Sequence, residues 1–205
     1  APFAAAFTQN AFAAAPVHYS RRLTAEVDTI RACVINAGNA NCCTGRQGVT
    51  DAGNMAGEVA DCLGLSPDEV LVFSTGRIGV MLPMDKVTEG IRMACEVLSV
   101  DGGEAAANAI MTTDTVPKSL AVEIHIDGVP IHVGGMAKGV GMIDPNLAPV
   151  ERGKHATMLA FITTDAKLAP GLLDTTLAGS LDHSFNRVTV DGDTSTNDTL
   201  IAMAS

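Results

Sequence analysis

The sequence predicts a mixed α/β fold in which the strands form a layered sheet. Short apolar runs with strand character alternate with stretches whose apolar residues recur at helical spacing. Apolar residues make up 47% of the 205 residues and charged residues 18%, which suffices for a buried core and excludes a disordered chain. The length is typical of one domain, or of two halves of one.

Strands are predicted where apolar runs are bounded by turn residues. Asp127 and Gly128 separate two alternating runs, which is the usual signal of a β-hairpin. Asn36 to Asn41 is predicted to be a loop, because Asn and Gly tolerate a left-handed backbone. The predicted strands are Ala32–Asn36, Val70–Ser74, Leu120–Ile126, Val129–Val133, Met158–Thr163 and Arg187–Val190.

Helices are predicted from apolar spacing and from capping residues. Met55, Val59, Cys62 and Leu63 share one face of a helix over residues 50–63. Ser66, followed by Pro67 and by Glu69, predicts a capped short turn. The predicted helices are Thr50–Leu63, Pro83–Leu98, Glu104–Met111 and Leu168–Phe185.

Charge and composition exclude several kinds of partner and site. The formal net charge is −10, and the chain has no Trp and one Tyr, which argues against nucleic-acid and anionic-membrane partners. The five cysteines form no CxxC pair, and no metal site is expected; they are interpreted as small buried residues in a reducing compartment. The uncharged first twenty residues lack the basic region of a signal peptide. We expect a soluble, cytoplasmic protein and a chain that does not begin at its natural start.

Two glycine-containing segments and one acidic segment suggest alternative sites. Ser74–Gly79 follows a strand and offers N–H groups and a hydroxyl to an oxyanion, or is an ordinary strand-to-helix turn. Gly134–Gly141 resembles a phosphate loop but fails its spacing; Lys138 within it could bind a carboxylate. Asp191–Thr199 matches the DxDxT loop of aspartyl-phosphate phosphatases, with a hydrogen-bonded turn as the favoured alternative.

A Thr at the start of a predicted strand offers a different chemistry. If the bond between Ala156 and Thr157 is cut, Thr157 gains a free α-amine, whose ordinary pKa is about 7.7–8.0. That amine lies beside the hydroxyl and can act as its general base without a histidine. The spacing alone does not distinguish this reading from a Thr without special function.

Taken together, the motifs resemble the ornithine acetyltransferase (glutamate N-acetyltransferase) family of arginine biosynthesis. They follow the family's order over nearly the whole chain. The matching segments are residues 36–45, 74–79, 82–85, 109–118, 135–143, 156–166, 185–186 and 191–199.

The resemblance implies an N-terminal-nucleophile-like αββα sandwich, cut before a Thr into an α segment (1–156) and the start of a β segment (157–205). It implies ping-pong transfer of acetyl from N-acetylornithine to the Thr and then to glutamate, without cofactor or metal, in an α2β2 heterotetramer. Thr157 would be the nucleophile, and Thr75 and Gly76 would form the oxyanion hole. Thr112 and Lys138 would contact the substrate, with Thr113 as a less favoured occupant of the first position.

The sequence departs from the family in two respects. Family members are about twice this length, so their C-terminal half, with further substrate contacts, is not represented. In addition, eight residues, 149–156, stand between the Pro145–Ala148 segment and Thr157, where the family has none. This insertion keeps the cut at Ala156–Thr157, abolishes cleavage, or is foreign to the natural protein.

Two further functions remain open at this point. Without glutamate as acceptor, water would attack the acyl-Thr, and the protein would be an amidase or deacetylase. Alternatively, the chain is an inactive fragment or subunit that needs a partner.

Overall fold

The computed structural model describes residues 1–145, 147–149, 158–169 and 171–205 of the chain. Strands and helices follow in the order β1, α1, β2, α2, β3, α3, α4, β4 to β7, α5 and β8. The strands are β1 Phe3–Phe7, β2 Ala32–Asn39, β3 Val70–Arg77, β4 Lys118–Ile126, β5 Val129–Lys138, β6 Ala148–Pro149, β7 Leu159–Thr164 and β8 Thr199–Ala204. The helices are α1 Ala15–Glu26, α2 Gly45–Leu63, α3 Met84–Glu96, α4 Gly103–Ala109 and α5 Leu172–Leu181.

The larger sheet has six strands in the order β4-β5-β7-β8-β1-β6, and β7 and β8 are parallel while the other neighbours are antiparallel. The predicted hairpin between β4 and β5 is confirmed, since Asp127 and Gly128 both have positive φ, at 53° and 81°. In this register Lys138 lies opposite Leu159, and Leu159 lies opposite Thr199. The end of β5 and the beginnings of β7 and β8 therefore meet at one edge.

The smaller sheet consists of the parallel strands β2 and β3, connected by α2. A side chain of α1 hydrogen-bonds to backbone groups of β3. The Ser20 hydroxyl accepts a hydrogen bond from Val72 N (3.0 Å) and donates one to Val72 O (2.8 Å). This contact fixes α1 against the small sheet, because unpaired backbone groups are costly in a buried position.

The two sheets face each other across the main core. Phe73 of β3 and Phe161 of β7 form an edge-to-face pair with ring centroids 5.1 Å apart, an arrangement that contributes about 0.5–1.5 kcal/mol beyond area burial. Helices α1 and α2 cover the small sheet, and α5 contacts the other face of the large sheet through Leu177 and Leu181. The four layers are the predicted αββα arrangement.

Several predicted elements extend further than their sequence pattern indicated. Helix α2 begins at Gly45 rather than Thr50, and of its predicted apolar face Cys62 and Leu63 are exposed. The predicted loop at Asn36–Asn41 is wrong in its first four residues, which continue β2. They continue it because Gly38 pairs with Gly76 of β3 in a close approach that needs no side chain.

Other predictions are wrong outright or incomplete. No strand occupies Arg187–Val190, because Arg187 ends a short 3₁₀ turn and the next two residues are irregular before a bend begins at Val190. Residues 134–138 of the Gly134–Gly141 segment, which fails the spacing of a phosphate loop, belong to β5. Of the cysteines, Cys42 is buried, whereas Cys43 and Cys62 are exposed. Strands β1 and β8 and helix α1 were not predicted. Among the described helices, none combines the length and apolar character needed to cross a membrane.

Candidate active site

The centre of the site is the side chain of Lys138, the last residue of β5. It is 6% exposed, and its ammonium donates to Thr75 Oγ1 at 3.0 Å and to Thr112 Oγ1 at 2.9 Å. Since each hydroxyl accepts from the ammonium, its own proton is free to donate elsewhere. The ammonium has three N–H donors, so one is left over for a further acceptor.

Thr75 and Gly76 lie near the end of β3 and pack closely against the neighbouring strand β2. Gly76 has a φ of 133°, and a Cβ at this position would lie 2.2 Å from the carbonyl carbon of Gly38. The turn is fixed further by two backbone bonds: Ala40 N donates to Arg77 O, and Gly79 N donates to the carbonyl of the buried Cys42, each at 2.9 Å. Only glycine meets both the conformation and the close approach at position 76.

Thr112 lies in the irregular segment after α4, which is anchored by Asp114. The Asp114 carboxylate accepts from Thr112 N (3.3 Å), from Gly139 N (2.8 Å) and from the Lys118 ammonium (2.5 Å). Burial alone raises the pKa of Asp114, but these donors together outweigh it and lower that pKa below the ordinary value. The carboxylate is therefore ionised and connects the segment to the end of β5.

The electrostatic environment destabilises the charge of Lys138. Burial is the largest effect and lowers the pKa of Lys138 below its ordinary value. The carboxylates of Asp114 and Asp198 oppose this shift, while the Lys118 ammonium adds to it. An anion that entered the site would stabilise the ammonium, since opposite charges at short distance favour the ionised form.

A polar segment directly before β8 closes the site from the other side. Asn197 is buried, and its amide donates to Ala40 O (2.6 Å) and to Ser74 O (2.8 Å). These two bonds connect the start of β8 to the ends of β2 and β3. Sequence reasoning missed Asn197; its position in a run of Ser, Thr, Asn and Asp before an apolar strand was the available signal.

Asp198, the next residue, has a buried carboxyl group that lacks a hydrogen-bond partner in the described part of the chain. It is fully buried, and neither carboxyl oxygen has a hydrogen-bond partner among the described residues. Burial raises the pKa of Asp198 well above its ordinary value, and the Lys138 ammonium offsets this only in part. The Thr8 hydroxyl gives its proton to Ser195 O at 2.7 Å and is not a donor to Asp198. The Asp198 side chain therefore caps no turn within the described residues.

Thr75, Gly76, Thr112, Lys138 and Asn197 line a cavity of about 740 Å³. Its lining includes the predicted residues Thr75, Gly76, Thr112, Thr113 and Lys138. A second cavity of about 630 Å³, between β2 and α3, contains none of them and is mainly apolar. The structure thus brings the described members of the predicted set together at one cavity.

The predicted nucleophile and cleavage residues, Thr157 and Ala156, lie outside the described residues. Met158, which follows Thr157 in the chain, is buried, and its carbonyl accepts a hydrogen bond from Thr199 N at 2.8 Å. The residue after it, Leu159, lies opposite Lys138 in the sheet. Ala148 and Pro149, where the family pattern places the cut, pair with β1.

The acidic segment at Asp191 forms a turn, as favoured from the sequence. The Asp191 carboxylate accepts from Met142 N (2.6 Å) and Ile143 N (2.8 Å), and these bonds lower its pKa. It joins two loops and shows no arrangement of a phosphatase nucleophile with its acid. Within the described part of the chain, no three His, Cys, Asp or Glu side chains are placed to hold a metal ion.

Comparison with known proteins gives these residues a context. The chain is 50% identical to the arginine biosynthesis bifunctional protein ArgJ of Symbiobacterium thermophilum, over 100% of this chain and 49% of that protein. It is also 50% identical to the protein of that name in Methylococcus capsulatus, over 98% and 47%. The chain thus spans about half the length of the curated relatives it matches.

Two solved structures confirm the predicted fold. The crystal structure of ArgJ from Bacillus halodurans superposes with a TM-score of 0.65 at 39% identity, covering 70% of this chain and 75% of that chain. The structure of ornithine acetyltransferase complexed with ornithine from Mycobacterium tuberculosis gives 0.65 at 43% identity, covering 70% and 76%. The ArgJ family matches over residues 1–205. The chain therefore belongs to the ArgJ family.

Proposed function

We propose that this chain supplies part of the active site of an acetyltransferase that moves acetyl from N-acetylornithine to glutamate through an acetyl-Thr157 intermediate. The observation that carries the proposal is the contact of the Lys138 ammonium with both Thr75 and Thr112 at the 740 Å³ cavity. Membership of the ArgJ family supports it, as does the likeness to a solved ornithine acetyltransferase in complex with ornithine.

In the maturation step, the Thr157 hydroxyl attacks the carbonyl carbon of Ala156, and the acyl group moves from nitrogen to oxygen. Water then hydrolyses the ester, which gives a new carboxylate on Ala156 and a free α-amine on Thr157. At this stage the hydroxyl and its base belong to the same residue. Residues 1–156 would then form the α chain, and residues from 157 onward would begin the β chain.

In the transfer step, the α-amine accepts the Thr157 hydroxyl proton while the oxygen attacks the acetyl carbon of N-acetylornithine. The developing oxyanion accepts hydrogen bonds from the Thr75 hydroxyl and from Gly76 N. Because the Lys138 ammonium occupies a lone pair of Thr75, the hydroxyl proton is directed elsewhere and is available for this role. Ornithine leaves with the proton. The amine of glutamate then attacks the acetyl carbon of the ester, the bond from that carbon to the Thr157 oxygen breaks, and the proton lost by the glutamate amine returns through the Thr157 α-amine to the Thr157 oxygen.

The cavity chemistry suits these substrates. Both carry a carboxylate, and the third N–H of Lys138 and the Thr112 hydroxyl can receive it. The reaction needs a nucleophile, a base and oxyanion donors, all of which the chain's own residues would supply, without a cofactor or metal. We further propose an α2β2 assembly and a cytoplasmic location.

The test is an intact-mass spectrum of the complete protein, incubated first alone and then with N-acetylornithine. We expect two chains divided before Thr157, and an acetyl adduct confined to the C-terminal one. Thr157→Ala should leave one uncut chain, whereas Thr157→Ser, which keeps a hydroxyl, should be cut. An uncut, unacetylated wild-type chain after long incubation would contradict the proposal and favour an inactive fragment or a blocking effect of residues 149–156.

A second measurement separates transfer from hydrolysis. Release of ornithine from N-acetylornithine is followed with and without glutamate. Transfer predicts that release continues beyond one turnover only with glutamate, and that N-acetylglutamate forms in equal amount. Continued release that is independent of glutamate would instead identify a deacetylase.

A further inference from the structure

A buried carboxylate outside the predicted set connects three parts of the site. The Asp114 side chain has no exposed surface. Its Oδ1 accepts from Gly139 N and from the Lys118 ammonium, and its Oδ2 accepts from Thr112 N. One side chain therefore connects the segment after α4, the start of β4 and the residue that follows Lys138.

The segment that contains Thr112 depends on this connection. Residues 111–117 form no helix or strand. The bond from Gly139 N to Asp114 fixes the end of β5 relative to this segment, and the bond from Thr112 N fixes the threonine itself. The result is the 2.9 Å contact between Lys138 Nζ and Thr112 Oγ1, two groups that are 26 residues apart in the chain.

Asp114 forms its ion pair with Lys118, which leaves an N–H donor of Lys138 free for a substrate carboxylate. Its ion pair within 4.0 Å is with Lys118, whose side chain is 42% exposed. Lys138 forms no such pair with a described carboxylate, although Asp114 still stabilises its ammonium through space. A direct pair with Lys138 would instead occupy the N–H donor that a substrate carboxylate needs.

We infer that Asp114 is a positioning residue that sets the distance between Lys138 and Thr112 and thereby shapes the subsite for a substrate carboxylate. This inference rests on the proposed function. Asp114 touches no reacting atom, so it acts on binding through the two residues it holds.

The experiment compares two carboxylates that each accept at least two backbone N–H bonds. Asp114→Asn is the test variant, and Asp191→Asn is the matched control, because Asp191 joins loops near the same cavity without contacting Lys138 or Thr112. Asp114→Ala is expected to raise the KM for N-acetylornithine more than Asp114→Asn does. Asp114→Glu, which keeps the charge, is expected to raise it less. In the complete matured enzyme, we expect Asp114→Asn to raise the KM for N-acetylornithine about tenfold or more, with a smaller change in kcat. Asp191→Asn should leave KM unchanged even where it lowers Tm. Equal changes of KM and Tm in the two variants would overturn the inference.

A readout without catalysis keeps the inference testable if no acetyl transfer occurs. Lysines are reductively methylated with ¹³C, and the Lys138 signal is titrated by NMR, with Lys138→Arg used to assign it. The groups whose charge acts on Lys138 are Asp114, Lys118 and, when ionised, Asp198. Loss of the Asp114 charge should lower the pKa of Lys138 and move its signal, whereas Asp191→Asn should do neither. An unchanged Lys138 signal in Asp114→Asn would refute the positioning role whether or not the proposed function holds.

Discussion

Replacing Asp198 by Asn should make the stability of the protein less dependent on pH. The folded state buries this carboxyl completely, without a hydrogen-bond partner among the described residues, and burial raises its pKa. In the unfolded chain the carboxyl has its ordinary pKa of about 3.9. Between these two pKa values the folded protein holds a proton that the unfolded chain has released, so the free energy of unfolding falls as pH rises.

The magnitude follows from one proton per molecule. The contribution of Asp198 is fully present below about pH 3.9 and decreases by about 1.4 kcal/mol per pH unit until pH reaches the folded-state pKa. Asn has nearly the same shape and no charge, so the Asp198→Asn variant lacks this slope. The difference in free energy of unfolding, variant minus wild type, should therefore grow by about 1.4 kcal/mol per pH unit over that interval.

Urea unfolding of both proteins at several pH values, from about 4.5 upward, measures this difference. Groups with shifted pKa values that do not interact with Asp198 contribute equally to both proteins and cancel. Asp114, Asp165 and Asp191 have lowered pKa values and change the free energy of unfolding only below their ordinary pKa. His132 has a raised pKa and changes it above its ordinary pKa. A difference that does not change with pH would refute the assignment of a raised pKa to Asp198.

Three further predictions concern the site and its support. Lys138→Met should lower kcat/KM by about tenfold to a hundredfold, because two charge-assisted hydrogen bonds are lost. Steady-state kinetics measures this change, and a parallel Tm measurement distinguishes it from unfolding. Gly76→Ala should destabilise the protein by more than about 2 kcal/mol, since its Cβ would overlap Gly38 and its φ is unfavourable; an unchanged urea midpoint would contradict the close approach. Ser20→Ala should cost about 1–3 kcal/mol by leaving both backbone groups of Val72 unsatisfied, which thermal unfolding measures, with activity per folded molecule unchanged.

Local chemistry explains which elements the sequence predicted. The hairpin at Asp127 and Gly128 was predictable because two residues with positive φ and flanking alternation suffice to specify it. The start of α2 was not, because Thr44 makes no side-chain cap and instead donates to Asn41. The Ala-rich β1 has no decisive β propensity and becomes a strand by pairing with β8, which is nearly two hundred residues away.

The candidate site shows the same division between residue types and distances. Family likeness indicated Thr75, Thr112 and Lys138, but their contacts join residues 63 and 26 positions apart, which spacing does not encode. Asn197 and Asp114 were not predicted as part of the site, because their roles are hydrogen bonds to backbone groups of other segments. Such roles depend on the folded arrangement more than on any local motif.

The position of the site follows from the way the two sheets meet. Lys138 lies in one row of the large sheet with Leu159 and Thr199, so the chain directly before β7 and β8 shares an edge with the end of β5. The end of β3 reaches this edge because Phe73 packs on Phe161, two residues along each strand from Thr75 and Leu159. The 3.0 Å contact between Lys138 and Thr75 therefore depends on the spacing between the sheets. A change in the aromatic pair would move Thr75 and Gly76, the proposed oxyanion donors, relative to Lys138, so the core helps to set the geometry of the proposed site.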